Sequence, residues 1–468
     1  MNFINLNSNL LGFISNFKLK IENYIFYLLI LFLPTQLGKH FWPDFSFIAG
    51  LRIDYLSPTI YFTDVLIGSL FGIWLIKQML NGQMVKLFKK TMQPYNYIAI
   101  AALMFVVVNF YLTGEVLKTL YFALKIFEIS FVAYYTAKFM SRKKVFENSV
   151  FVFAGGIFFQ SFLAIAQFVN QKSIGGVLYY FGERTFNGST AGIANASLNG
   201  ELVLRPYATF PHPNVLAGYL VVVMTIMLFS LSFRNSNQEA RGKKHEVRVM
   251  NWLSPALILN SLFLVRISAL ILGTIALFLS MSRIGILLWV FILGYFFIKK
   301  INIRTFIIGV FLSILFLMLS PLGARFTQVA LTDDAIAQRL SLINASFQMI
   351  ASSPLFGVGL FNFIPTLLLI QQPLTIGTYL QPVHNIFLLV AAETGLIGLG
   401  FFGWFLWKTL QRIRNQESGI REILYILFTV ILITGMFDHY WITLQQGQLL
   451  FAFVIGLCWA NYKTSSGS

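Results

Sequence analysis

His384 and a small set of arginines are the residues of this chain best suited to do chemistry. His384 opens an apolar run reading His-Asn-Ile-Phe-Leu-Leu-Val-Ala-Ala-Glu-Thr-Gly, with Asn385 beside it. A neutral imidazole accepts a proton near neutral pH, the property a general base requires. His212, in Pro211-His212-Pro213-Asn214, follows Arg205-Pro206 by seven residues, and Arg283 sits in Ser282-Arg283-Ile284-Gly285. Arg325 and Arg339 flank the start of a long connecting segment. The planar guanidinium fork matches phosphate oxygens in a bidentate way, so several arginines converging would suit a diphosphate head group. Each residue also has a plainer reading. A histidine at the end of an apolar run can be an interfacial cap, and an arginine there can snorkel or pair within a loop. His40 in an aromatic segment reads as packing, and His245 in a basic segment as bland.

Two groups lie inside apolar runs. Lys125 and Glu128 are three apart, hence on one helix face, with Lys118 seven before Lys125. An intramembrane ionisable residue is a functional candidate, and a mutually neutralising pair is the equal alternative. Glu393 is nine residues after His384, which is about 180° around a regular helix. It therefore faces away from the histidine and is expected to bond a neighbouring helix, with Gly395 and Gly398 allowing close packing. Asp438, before His439, could orient a base or a sugar. The chain has no Asp-x-Asp, His-Glu-x-x-His or Walker pattern, and its single Cys458 cannot form a thiolate cluster. Phe356-Gly357-Val358-Gly359-Leu360 reads as a turn after a helix, not as a nucleotide loop. No metal and no cofactor are expected.

The elements that must position these residues follow from composition. Of 468 residues, 57% are hydrophobic and only 11% charged, well below the roughly 25% charged of a soluble domain. The chain reads as an all-α, polytopic membrane bundle. A spanning helix needs roughly 20 apolar residues, which places about twelve spans near 24–38, 61–80, 95–112, 116–138, 147–169, 211–233, 267–282, 284–298, 305–321, 384–407, 422–437 and 447–462. Arg266 interrupts the stretch from Trp252 to Ser282, so 252–265 is read as interfacial. The apolar run after Lys18 and Lys20 is read as a retained first span, because no small-residue cleavage site follows it.

The net charge of +17 tests this topology. With the N-terminus inside, 24 of the 34 basic residues fall on inner segments, as the positive-inside rule requires. Both termini are then cytoplasmic, and the surplus reports orientation and not nucleic-acid binding. The ten exceptions are Lys39, Arg52, Lys118, Lys125, Lys172, Arg184, Arg205, Arg283, Arg325 and Arg339. They gather toward the outer face, which has long segments at 39–60, 170–210 and 322–383, the last with a helix expected at 335–352. The whole of 1–468 reads as one integral membrane domain with a disordered tail at 463–468.

Taken in order, the motifs resemble the O-antigen ligase and polymerase superfamily of bacterial envelope enzymes. They run Arg205-Pro-Tyr-Ala-Thr-Phe-Pro-His-Pro-Asn214 with Leu216-Ala217-Gly218, then Ser282-Arg283-Ile-Gly285, then Arg339 leading to Ser353-Pro-Leu-Phe-Gly-Val-Gly-Leu-Phe-Asn362. His384-Asn385 through Glu393-Thr-Gly395-Leu-Ile-Gly398 and Asp438 complete the set, which covers roughly 200–440. The resemblance implies a fold similar to membrane C-type glycosyltransferases. It also implies metal-independent transfer of a glycan from an undecaprenyl-diphosphate donor to a lipid or glycan acceptor, at the outer face of the bacterial cytoplasmic membrane. His384 would deprotonate the acceptor hydroxyl, and Arg205, Arg283 and Arg339 or Arg325 would hold the diphosphate. Asn385, Asp438, His212, Asn214, Glu393 and Lys125 would support them. Ligase is preferred, with polymerase of lipid-linked repeat units as the alternative. A lipid-linked oligosaccharide flippase is the rival class, but transporters place polar sites near the midplane between internal repeats, and no repeat is visible.

Overall fold

The computed structural model describes residues 21–81, 96–198, 200–239, 261–298, 334–370 and 380–462. The span expected at 305–321, Arg325 and the tail at 463–468 lie outside them. Apolar runs become helices because, without water, each backbone N–H and C=O must be satisfied within its own segment. The helices are α1 (Ile21–Phe32), α2 (Phe62–Leu80), α3 (Asn96–Thr113), α4 (Val116–Phe139), α5 (Lys143–Asn170), α6 (Pro213–Glu239), α7 (Ser261–Leu279) and α8 (Arg283–Ile298). They continue with α9 (Asp334–Ser352), α10 (Phe363–Ile370), α11 (Ile386–Arg414), α12 (Ser418–Phe437), α13 (Tyr440–Thr443) and α14 (Gln445–Trp459). Five of these, α2, α5, α6 up to Ser230, α11 and α12, are long and apolar enough to cross a membrane. α1, α7 and α8 are shorter apolar helices.

α6 is the centre of the bundle, buried almost throughout Pro213–Ser230 and packed by α5, α7, α8 and α12. α4 lies along α14, and α5 along α7. In a bilayer such contacts rest on van der Waals fit between small residues. Accordingly Gly273 of α7 lies against Met224 and Ile157, and Gly456 of α14 against Thr136 and Ala133. Three two-stranded antiparallel ladders decorate the connections: β1 (Gly38–His40) with β4 (Thr59–Tyr61), which enclose the hairpin of β2 (Phe47–Ile48) with β3 (Leu51–Arg52), and the hairpin of β5 (Asn195–Leu198) with β6 (Glu201–Leu204). The segments read as 39–60 and 170–210 are therefore folded around these ladders.

Two sequence readings need correction. Arg266 does not end a helix: α7 runs from Ser261 through it to Leu279. A single arginine in a strongly apolar segment keeps its helical hydrogen bonds and extends its head group along the helix, so its charge is a poor boundary marker.

The second correction concerns α11, read as one continuous span over 384–407. It is broken at Gly395, whose φ of 68° and ψ of −173° are non-helical, and resumes to Arg414. A break leaves carbonyls on one side and N–H groups on the other without intrahelical partners. The segment after α9 supplies the missing partners. Val358 N donates to Ala392 O at 2.9 Å and Gly359 N to Glu393 O at 2.9 Å. Leu396 N donates to Pro354 O at 2.8 Å and Ile397 N to Leu355 O at 3.3 Å. Glu393 bonds a neighbouring helix, as its position implied, and does so at that helix's start: its Oε1 accepts from Phe363 N at 3.3 Å, the first residue of α10. The Phe356–Leu360 turn is thus a clasp on a broken helix, binding α9 and α10 to the half of α11 that follows His384.

Candidate active site

Five helix ends meet at one end of the bundle: the start of α6, the end of α7, the start of α8, the start of α11 and the end of α12. α11 begins where its sequence says it should. Asn385 is the N-cap, its Oδ1 accepting from Phe387 N at 2.9 Å and Leu388 N at 3.0 Å. Its Nδ2 donates to Met436 O at 3.2 Å, tying the start of α11 to the end of α12. That tie sets His384 beside the turn Asp438-His439. Gly218 of the Leu216-Ala217-Gly218 motif lets the turn come close, since a Cβ there would collide with the Tyr440 hydroxyl.

His384, Asp438 and His439 place one ligand-type atom each within 4.8 Å of one another. The rings of His384 and His439 lie 5.1 Å apart, nearly edge to face, and the Tyr55 ring stands 5.5 Å from His439 on its own side. Asp438 Oδ1 accepts from His439 N at 2.8 Å, and Oδ2 from Asn214 Nδ2 at 3.0 Å. Thr443 Oγ1 donates to His439 O at 3.0 Å and lies 2.7 Å from His439 Nδ1. The hydroxyl has one proton: where it goes to His439 O, the His439 Nδ1–H donates to Thr443 Oγ1 and Nε2 carries the lone pair, and where it goes to Nδ1 the tautomer is reversed. The trio has the residue types of a metal site. Both carboxylate oxygens and one His439 nitrogen already serve in hydrogen bonds, which suits proton handling equally well.

Arg205 reaches the same place from the other side. It is buried, its Nε donating to Ser280 O at 2.8 Å and its Nη2 to Asn214 Oδ1 at 2.8 Å. His212 Nδ1 accepts from Asn214 N at 3.1 Å, so Pro211-His212-Pro213-Asn214 folds back on itself at the entry to α6. Arg283 is the first residue of α8, adjacent to Ser282 and close in sequence to Ser280; its Nε is buried and without a hydrogen-bond partner among the described residues. Gly285 makes room there for the Ala217 side chain.

The electrostatics favour neutral imidazoles around one carboxylate. Burial lowers the pKa of His384, Asp438 pulls it back up, and Arg339 adds to the lowering. Burial and the like positive charge of Arg205 push His212 down to about 3, and burial pushes His439 down to about 4. Burial works to raise Asp438, but the facing histidines and the Asn214 amide outweigh it and hold it below the usual carboxylate range. At neutral pH the site is therefore a carboxylate, three uncharged imidazoles and a set of arginines. His384 Nδ1 is buried with no partner among the described residues. A buried polar atom in that state calls for a partner, and a substrate hydroxyl or a water would supply one.

Residues 268–403 match the family model described as O-Antigen ligase. That match supports placing the chain in the O-antigen ligase superfamily, as the motifs implied. It covers Arg283, Arg339 and His384, while Arg205, Asn214 and Asp438 lie outside the matched stretch and join it through the contacts above. Comparison with curated proteins gives no match. The long apolar helices and the O-antigen ligase match together describe an integral membrane protein.

Not every residue singled out in the sequence arrives at this cluster. Arg339 is exposed on α9, and it is placed near the site only by its charge acting on His384 and His439. Glu393 serves the helix break. Lys125 joins a separate buried group: its Nζ donates to Asp64 Oδ2 at 2.7 Å, Glu128 Oε2 at 2.8 Å and Gln445 Oε1 at 3.0 Å. The pairing with Glu128 is real but incomplete without α2 and α14, and it staples three helices together. In the other direction, His439, Tyr55 and Ser280 belong to the site and were not singled out. Only His439 carried a signal, its place directly after Asp438.

Proposed function

We propose that the protein transfers a glycan from an undecaprenyl-diphosphate donor to an acceptor hydroxyl at the outer face of the bacterial cytoplasmic membrane, in the manner of an O-antigen ligase. The observation that carries the reading is the junction of His384, Asp438 and His439 with the buried Arg205 at one meeting of helix ends. Twelve spans with both termini in the cytoplasm would turn that junction outward, where lipid-linked glycans are exposed.

In this reading the acceptor oxygen attacks the anomeric carbon of the donor sugar. A glycosidic C–O bond forms and the bond from that carbon to the diphosphate oxygen breaks. The acceptor proton passes to His384, and the undecaprenyl diphosphate leaves as an anion. Asp438 steadies the imidazolium that results. Arg205, Arg283 and Arg339 stabilise the charge that grows on the leaving group, as fixed cations in a dry site do. With arginines in that role, no metal step is required.

The test is reconstitution of the purified protein with lipid-diphosphate oligosaccharide, in EDTA, with and without an added lipid acceptor. Transfer that depends on the acceptor supports the ligase reading. Lengthening of the lipid-linked chain without acceptor would indicate a polymerase. Trans-bilayer movement of donor with no new glycosidic bond would overturn the transferase reading.

The pH dependence is a sharper check on the base. A base works only when unprotonated, so activity is lost as pH falls through the pKa of His384, which burial sets below 6.5. Asp438 raises that pKa and Arg339 lowers it. Asp438→Asn should therefore move the acid limb of the kcat profile to lower pH, and Arg339→Gln should move it to higher pH. Profiles that shift together, or not at all, would show that His384 is not the titrating base.

A further inference from the structure

We propose that Asn214 is a positioning residue that keeps a cation and an anion of one site apart, its amide oxygen holding Arg205 and its amide nitrogen holding Asp438. The inference deepens the transferase reading and rests on it. Its ground is the geometry of a single side chain. Arg205 Nη2 donates to Asn214 Oδ1 at 2.8 Å, and Asn214 Nδ2 donates to Asp438 Oδ2 at 3.0 Å. The partners dictate the amide's orientation: reversed, it would set its NH2 against a guanidinium and its oxygen against a carboxylate.

Every component of this link is anchored at a second point. Arg205 is held through Nε by Ser280 O, and Asp438 through Oδ1 by His439 N. Asn214 is fixed by its own backbone, whose N–H donates to His212 Nδ1, in the first turn of the most buried helix of the bundle. An amide in that position does what neither a carboxylate nor an apolar side chain could do. A guanidinium and a carboxylate buried together attract strongly. If Arg205 paired directly with Asp438, each would be neutralised by the other. With the amide between them, Arg205 and Asp438 are not spent on each other, and the anion remains beside His384 and His439, within 4.8 Å of them. One residue thus divides the junction into a donor-binding half and a proton-handling half.

The test uses the full-length protein in detergent micelles and radiolabelled undecaprenyl diphosphate as the probe, with glycan transfer by wild type measured alongside. Asn214→Leu, close in size, removes the bridge and lets Arg205 collapse onto Asp438. Binding of the probe should weaken at least tenfold. In an Asp438→Asn background there is no anion to capture Arg205, and the same Asn214→Leu change should weaken binding less than threefold. This non-additivity is what a merely structural role would not produce. An equal loss in both backgrounds, or no loss in either, overturns the proposal. If Asn214→Leu does not purify as a folded protein, Asn214→Asp carries the test. A carboxylate bonded to Arg205 should weaken binding at least tenfold in both backgrounds, and wild-type affinity would overturn the proposal. Wild-type protein that neither binds the probe nor transfers glycan would refute the transferase reading, and the inference with it. Wild-type transfer with unaltered binding by the Asn214 variants would refute the inference alone.

Discussion

A His384→Ala protein should fold, bind donor and lose glycan transfer by roughly 10²–10⁴-fold, the range a positioned general base contributes. The fold should survive because the imidazole is only part-buried and its Nδ1 has no partner among the described residues, so its removal orphans nothing there. Asn385, which caps α11 and ties it to Met436, is untouched. His439 would be a poorer probe. It is 3% exposed and bonded through Nδ1 to Thr443, so truncating it would confuse catalysis with stability. The measurement is single-turnover transfer in proteoliposomes with donor affinity determined in parallel. Wild-type turnover by His384→Ala would sink the assignment of the base. A loss of donor affinity equal to the loss of turnover would make His384 a binding residue.

Gly395→Ala should produce a large loss of stability for so small a substitution. At φ 68° and ψ −173° Gly395 sits in a region that is essentially glycine-only, where a side chain costs about 1–3 kcal/mol. An added Cβ would also strike the backbone of Leu355, against which the break is clasped. Overpacking of that kind costs about 1–3 kcal/mol more. The chain cannot relieve it cheaply. Leu355 and its neighbours are held by hydrogen bonds from Val358, Gly359, Leu396 and Ile397 across the break. Straightening the helix would orphan the clasp and the N–H of Phe363 that Glu393 accepts. A total near 4 kcal/mol is a large fraction of the 5–15 kcal/mol of a typical domain. Thermal unfolding in detergent should show a lowered midpoint, and transfer should fall because α9, with Arg339, is no longer fixed to the half-helix of His384. A midpoint equal to that of wild type would mean that the break does not bear on stability.

How much of this was legible in the sequence depends on the range of the interaction concerned. The helix start at Asn385 and the helix at 335–352 are written in neighbouring residues: an N-cap before an apolar run, and an amphipathic segment stopped by Ser353-Pro354. The motif Arg205 to Asn214 was legible for the same reason, since both ends of the Arg205–Asn214 bond lie within nine residues. Arg266 misled because its charge was read as a helix boundary, and the span at 384–407 misled because a continuous apolar run was read as one straight helix. The break in α11 depends on a clasp from Pro354 to Gly359, about forty residues earlier. A helical wheel cannot anticipate a partner that replaces the helix's own hydrogen bonds.

Composition and hydropathy by themselves pointed to a membrane bundle, and the order of short motifs by itself pointed to the O-antigen ligase superfamily and to His384 as the base to suspect. Those are properties of local pattern, set by what the hydrocarbon excludes and by what caps and turns require. The tertiary structure alone decided which charges share a site. It brought Asp438 to Asn214 across 224 residues and set His439 against His384. It also sent Lys125 to a different cluster, with Asp64 and Gln445. The reason is that burying a charge is tolerable only when partners surround it, and those partners come from whichever helix ends the packing of the bundle happens to bring together.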